Sequence, residues 1–218
     1  MSDTDSFIEE VSEEVRRDRL YQGIRRYGWI AVVAVVGIVG GASWNEYQKA
    51  QSRGAAEALG DSMLAALEAE APETRAAALT DVSAATPAAA AVITLQRAAE
   101  LQAAGDAEGA AAALQDLAIS GEVAPIYRQL AAFKSIVLQG TTTPAADRRA
   151  ALEGLVLTGS PLRLLAEEQL ALIEVETGDA GAAITRLERI AADAEASAGL
   201  RRRASQLIVA LGGDRSGA

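Results

Sequence analysis

Cysteine and histidine are both absent from the 218 residues, and aromatic side chains make up only 4% of them. Without cysteine there is no disulfide and no thiol nucleophile, so stability rests on packing. Without histidine, the commonest general base and the commonest metal ligand are missing together. No Ser/His or Cys/His arrangement is possible, and no phosphate-cradling glycine loop follows a strand. Basic residues are also scarce: 20 Lys and Arg stand against 30 Asp and Glu, a net charge of −10. Nucleic acid is not expected as a partner, because its phosphates would be repelled. No cofactor, metal or small-molecule substrate is implied, and the chain does not read as an enzyme.

What is abundant is alanine, with 50 residues. Alanine is the best helix former and has little bulk, so the mixture favours closely packed helices. β-type alternation is nearly missing, and the expected fold class is all-α. At this length the chain accommodates one domain with a real core beside a shorter segment.

One long uncharged run exists, the nineteen residues from Tyr27 to Asn45. As a helix it reaches ~28 Å at ~1.5 Å per residue, close to the hydrocarbon thickness of a bilayer. Tyr27 and Trp29 stand at one end, Trp44 and Tyr47 at the other, as aromatics do at the two membrane interfaces. Arg16, Arg17, Arg19, Arg25 and Arg26 precede the run, whereas only Lys49 and Arg53 follow it closely. The positive-inside rule then puts the N-terminus in the cytoplasm and the C-terminal bulk across the membrane. Gly40-Gly41-Ala42 would suit a signal peptidase. The acidic leader, the length of the run and the second aromatic pair favour an uncleaved anchor. Gly37 and Gly41, four residues apart, flatten one helix face and invite a neighbouring membrane helix to pack there.

Before the run, Phe7, Ile8, Val11 and Val15 fall at helical spacing, with Asp5 or Ser6 as a cap. A short leader helix is expected. After it, Pro87, Pro125 and Pro161 each open an Ala/Leu-rich segment, at intervals of 38 and 36 residues. Proline suits a first helical turn, where its missing N–H has no partner anyway. Pro72, Gly105-Asp106, Pro144 and Gly178-Asp179 form an offset series at about the same interval. The two Gly-Asp turns match at an offset of 73 residues, and at that offset Gly140 falls on Gly213 and Ala131 on Ala204. Glycine ends one helix and aspartate caps the next.

Two helices per unit of 34 to 38 residues is the pattern of a tetratricopeptide-type solenoid, with Ala98, Ala110, Ala171 and Ala183 where the helices touch. The expected helices are 47–70, 72–84, 87–104, 107–119, 125–139, 144–157, 161–177, 180–195 and 198–211. The layout is then a cytoplasmic leader 1–26, a transmembrane helix 27–45, a tetratricopeptide-like domain 46–211 and a frayed tail 212–218. Glu167, Glu168, Glu174 and Glu176 are the carboxylates that a two-acid hydrolase would need. Their spacing after Pro161 reads instead as a solvent-facing charged surface. Arg201-Arg202-Arg203 likewise reads as a solvated face.

Ser6-Phe7-Ile8-Glu9-Glu10-Val11-Ser12-Glu13-Glu14-Val15-Arg16-Arg17-Asp18-Arg19-Leu20, followed by Arg25-Arg26-Tyr27-Gly28-Trp29, resembles the YfgM-like family. Its members are single-pass bacterial inner-membrane proteins with a short cytoplasmic leader and a periplasmic tetratricopeptide-like domain. The resemblance implies an ancillary role at the secretion translocon, with the SecYEG channel and a membrane-anchored periplasmic chaperone of the prolyl-isomerase type as partners. The residues by themselves equally allow an accessory or assembly subunit of another inner-membrane complex, for example a respiratory one.

Overall fold

Backbone capping chemistry sets the helix boundaries. A computed structural model describes residues 3–213, and the side chains of residues 29, 30 and 33–213. Among the described residues there are nine α-helices and no strand. They are α1 Asp3–Leu67, α2 Pro72–Thr80, α3 Pro87–Ala103, α4 Ala107–Ile119, α5 Pro125–Gln139, α6 Ala145–Leu157, α7 Arg163–Glu176, α8 Ala180–Ala192 and α9 Ala198–Ala210. A single 3₁₀ turn, Gly140–Thr142, joins α5 to α6.

Pro72, Pro87 and Pro125 each occupy a first helical turn. Side-chain caps start four helices, α3 again among them: Thr86 accepts the Ala89 N–H at 3.1 Å, Asp106 that of Gly109 at 2.8 Å, and Asp179 that of Ala182 at 3.0 Å. Ser197 does the same for Leu200 at 3.2 Å. At the other ends, Gly105, Gly159, Gly178 and Gly212 have positive φ. Each closes its helix with a paired return of two N–H groups, as when Gly178 and Asp179 donate to Val175 and Glu174. That pair of hydrogen bonds satisfies carbonyls the helix leaves open, and only glycine enters the left-handed region without strain.

Two local expectations need correction. Pro161 lies in a turn ahead of α7 rather than at its start, because the Ser160 hydroxyl accepts the Leu162 N–H and Ser160 C=O takes the Arg163 N–H. The glycine equivalent to those of the other closures is Gly212 and not Gly213, so the Gly140–Gly213 match fails; Gly140 itself leads into the 3₁₀ turn. The leader, the uncharged run and the residues after it lie in one element, α1, unbroken from Asp3 to Leu67.

The chain divides into two units, residues 1–57 and 58–218. In the second, four small cores follow one another along the chain. Ala66, Leu79 and Ile93 join the end of α1 to α2 and α3. Ala98, Leu114 and Ala131 join α3, α4 and α5. Leu152, Ala166 and Leu170, with Phe133, join α5, α6 and α7. Ala171, Leu187 and Leu200 join α7, α8 and α9. Each of α3, α5 and α7 therefore serves two cores, the stacking logic of a solenoid. Ala98, Ala110, Ala171 and Ala183 are all buried where helices meet. Small residues there let axes approach to the ~8–10 Å of close helix packing.

In the first unit, no helix among the described residues is long and apolar enough to cross a membrane. The run from 27 to 45 includes Tyr27, Gly28, Ala31 and Val32, whose side chains lie outside the described residues. So do the leader side chains, among them Asp5, Ser6 and all five arginines. Tail residues 214–218 also lie outside the description, while Gly212 and Gly213 close α9.

Candidate interaction surfaces

Between residues 30 and 39 of α1, the described aliphatic side chains are left uncovered by their own chain. Ile30, Val33, Val35, Val36 and Val39 are exposed, and Ile38 reaches 72%. Burying one such side chain contributes ~1.5–3 kcal/mol, so these six leave on the order of 10 kcal/mol unrealised. Surface of this kind marks a membrane or partner contact. Of the expected interface aromatics, Trp29, Trp44 and Tyr47 are exposed, and the rings of Trp44 and Tyr47 lie 6.2 Å apart with a 35° tilt. Nothing lies within 4 Å of a Cβ built on Gly37 or Gly41, so their flat face is uncovered. Tyr27, Arg16, Arg17, Arg19, Arg25 and Arg26 fall outside the described side chains.

Glu167, Glu168 and Glu174 of α7 overturn the expectation of a solvent-facing surface, whereas Glu176 is exposed. Glu174 is only 5% exposed and Glu168 only 7%. Glu174 accepts from Arg186 of α8 at 2.6 Å and lies 3.6 Å from Arg149 of α6. The same Arg186 also holds Glu167. Glu168 takes two bonds from Arg203 of α9, at 2.7 and 2.8 Å, so part of the Arg201-Arg202-Arg203 run is structural. Glu176 binds Arg148 of α6, whose Nε also donates to the Thr143 carbonyl. A buried carboxylate that accepts two or three charged N–H groups is a compensated buried charge. Hydrogen bonding to Glu174, and then to Glu167, pushes the Arg186 pKa well above its ordinary value against desolvation.

Two further clusters tie other elements. Arg75 of α2 binds Glu100 of α3 at 2.7 Å and donates to the Ala69 and Glu70 carbonyls, fixing the turn into α2. Arg163 of α7 binds Asp193 and Glu195 at 2.9 and 2.8 Å. Its guanidinium, with the Glu195 N–H second, holds the Asp193 carboxyl below its ordinary 3.8. None of these arginine partners was visible from spacing; they lie 12 to 35 residues from their acids. Among the described residues, no group of three or more acids is placed to hold a metal ion.

A groove opens between α3 and α5. Ala98 and Leu114, each 2% exposed, form its floor, while Gln102, Lys134 and Val137 stand at its rim.

A family model described as a tetratricopeptide repeat-like domain matches residues 25–155. No curated protein and no solved structure matches the chain.

Proposed function

The chain belongs to the tetratricopeptide repeat-like domain family, and from that premise we propose that it is a membrane-tethered scaffold for protein partners. A helical-repeat domain of this family is an interaction module. The observation that carries the tether is the uncovered apolar surface of α1, from Trp29 to Tyr47, immediately ahead of the repeats. The span 27–45 would be held at its interfaces by Tyr27, Trp29, Trp44 and Tyr47. Arg16, Arg17, Arg19, Arg25 and Arg26 favour a cytoplasmic N-terminus and a periplasmic repeat domain in the bacterial inner membrane. Gly37 and Gly41 offer a face for a second membrane helix.

The partners we propose are the SecYEG translocon and a membrane-anchored periplasmic chaperone. Support comes from the Arg25-Arg26-Tyr27-Gly28-Trp29 junction and the leader that resemble the YfgM-like family. A repeat domain beside an exit channel is placed to receive emerging chains or to hold a chaperone there. Purification of the tagged full chain from membranes in mild detergent, followed by mass spectrometry, tests this. Translocon subunits together with a periplasmic chaperone are the expected yield. Recovery of a respiratory or other inner-membrane complex instead would replace those partners. A chain that leaves the membrane in an alkaline carbonate wash would sink the tether. Gly37→Leu with Gly41→Leu should reduce recovery of membrane partners, and unchanged recovery removes the helix-packing role.

A further inference from the structure

The series of four cores within residues 58–218 has two ends, and each end is a helix covered on one face. The last turns of α1 turn Leu59, Met63 and Ala66 toward α2 and α3. α9 turns Leu200, Ala204 and Ile208 toward α7 and α8. On the opposite side of those α1 turns, Asp61, Leu64 and Ala65 are exposed, as is Glu68 just beyond them, and Leu64 reaches 65%. On the opposite side of α9, Arg202, Ser205, Gln206 and Val209 are exposed, with Arg201 beside them.

A terminal repeat needs a polar outer face for solubility, and charges of mixed sign supply it. Here the two ends have opposite signs. Residues 58–81 hold five acids and a single base, Arg75, which is committed to Glu100. α9 holds three arginines and no acid. Arg203 binds Glu168, while Arg201 and Arg202 have no carboxylate partner among the described residues. Like charges therefore oppose pairing of α9 with α9, or of α1 with α1, across a two-fold axis. The α9 face of one copy and the α1 face of another are complementary.

The spacing fits as well. Each face has one large aliphatic side chain, Leu64 or Val209. Arg202 stands seven residues from Val209, ~10.5 Å along the helix, and Asp61 and Glu68 stand ~4.5 and ~6 Å from Leu64. With Leu64 laid on Val209, Arg202 needs about 5 Å of further reach to an acid, whichever way the two helices run.

We propose that the repeat domain binds a second copy of this chain head to tail, α9 of one copy on residues 61–68 of the next. Leu64 packs on Val209, and Arg201 and Arg202 pair with Asp61 and Glu68. Such a heterologous contact leaves the far end of every copy free, so it propagates into rows rather than stopping at a pair. Each face is far smaller than the roughly 20–30 residues a side of a stable complex. Rows therefore form where copies are concentrated and come apart on dilution.

The chain has no cysteine, so introduced thiols report this contact cleanly. Full chains carrying Leu64→Cys or Val209→Cys, with different tags, are coproduced and oxidised with copper phenanthroline in broken cells. Membrane-bound and released chains are both present there, so the result does not depend on the tether. The mixed pair should cross-link well above either homotypic pair. It should also exceed Leu64→Cys paired with Asp116→Cys, an exposed position on α4 that reports random collision. One chain carrying both thiols should give a ladder of dimers, trimers and longer species. Asp61→Arg with Glu68→Arg in the Leu64→Cys copy should cut the mixed cross-link at least about fivefold. Arg201→Glu with Arg202→Glu in the Val209→Cys copy should restore it. Arg201→Gln with Arg202→Gln, which only remove charge, serve where the reversals unfold the chain, and should lower the yield against the unreversed partner. A mixed cross-link no stronger than the Asp116→Cys control, a double-thiol chain that stops at the dimer, or a yield indifferent to these charge changes would overturn the proposal. Loss of the scaffold reading is a separate result, read from the membrane purification.

Discussion

Gly178 and Asp179 occupy adjacent positions with opposite demands on the backbone. Gly178 sits at φ +86, where a Cβ costs ~1–2 kcal/mol, so Gly178→Ala should destabilise by about that amount. Gly154→Ala, inside α6 with nothing within 4 Å of the new methyl, should instead stabilise by ~0.5–1 kcal/mol. Urea unfolding followed by circular dichroism separates the two signs. Asp193 gives the pH-dependent case. Its folded pKa lies below 3.8, so its contribution is present above 3.8 and is lost as pH falls through the lower folded value. Asp193→Asn keeps an oxygen for the Glu195 N–H and removes the charge that Arg163 holds. The difference in Tm between the wild-type chain and Asp193→Asn should be largest near neutrality and shrink toward pH 3.

At the scale of the helix, α7 is the element on which charges from three neighbours converge. Arg186→Met leaves Glu167 without its partner and Glu174 with only the more distant Arg149. Breaking a buried pair from one side costs ~3–5 kcal/mol, and this variant should approach that range. Glu174→Gln should cost less, because Arg186 keeps Glu167. The double variant should cost less than the two singles summed, and a double-mutant cycle by urea unfolding measures the difference. The start of α3 and the α3–α4 and α7–α8 junctions were legible in the sequence because Pro, Gly and Asp act on their own backbone. The burial of Glu168 and Glu174 was not. Their partners come from helices brought together only by packing, and an acid on a helix looks the same whether water or arginine faces it. The α3–α5 groove was equally hidden, since its lining comes from three helices brought together by packing.

Within residues 58–218 the four cores are joined by shared helices, and the repeat period of the prolines and Gly-Asp turns anticipates that chain of cores. What the period could not show is the inequality of the links. The first two cores are apolar with one ion pair, whereas the last two are bound by most of the arginine–carboxylate pairs. The sharing of odd-numbered helices has a mechanical corollary. Under tension from the C-terminus, α9 and α8 answer to one core only and can be peeled away together, while α7 stays clamped by α5 and α6. That first rip would strip Arg186 and Arg203 from Glu167, Glu168 and Glu174 in one event. The stub left behind carries Glu167 and Glu168 bared and Glu174 with only Arg149, so the fold should yield in two-helix bites, and re-zip fastest when the arginine-bearing pair returns as a unit.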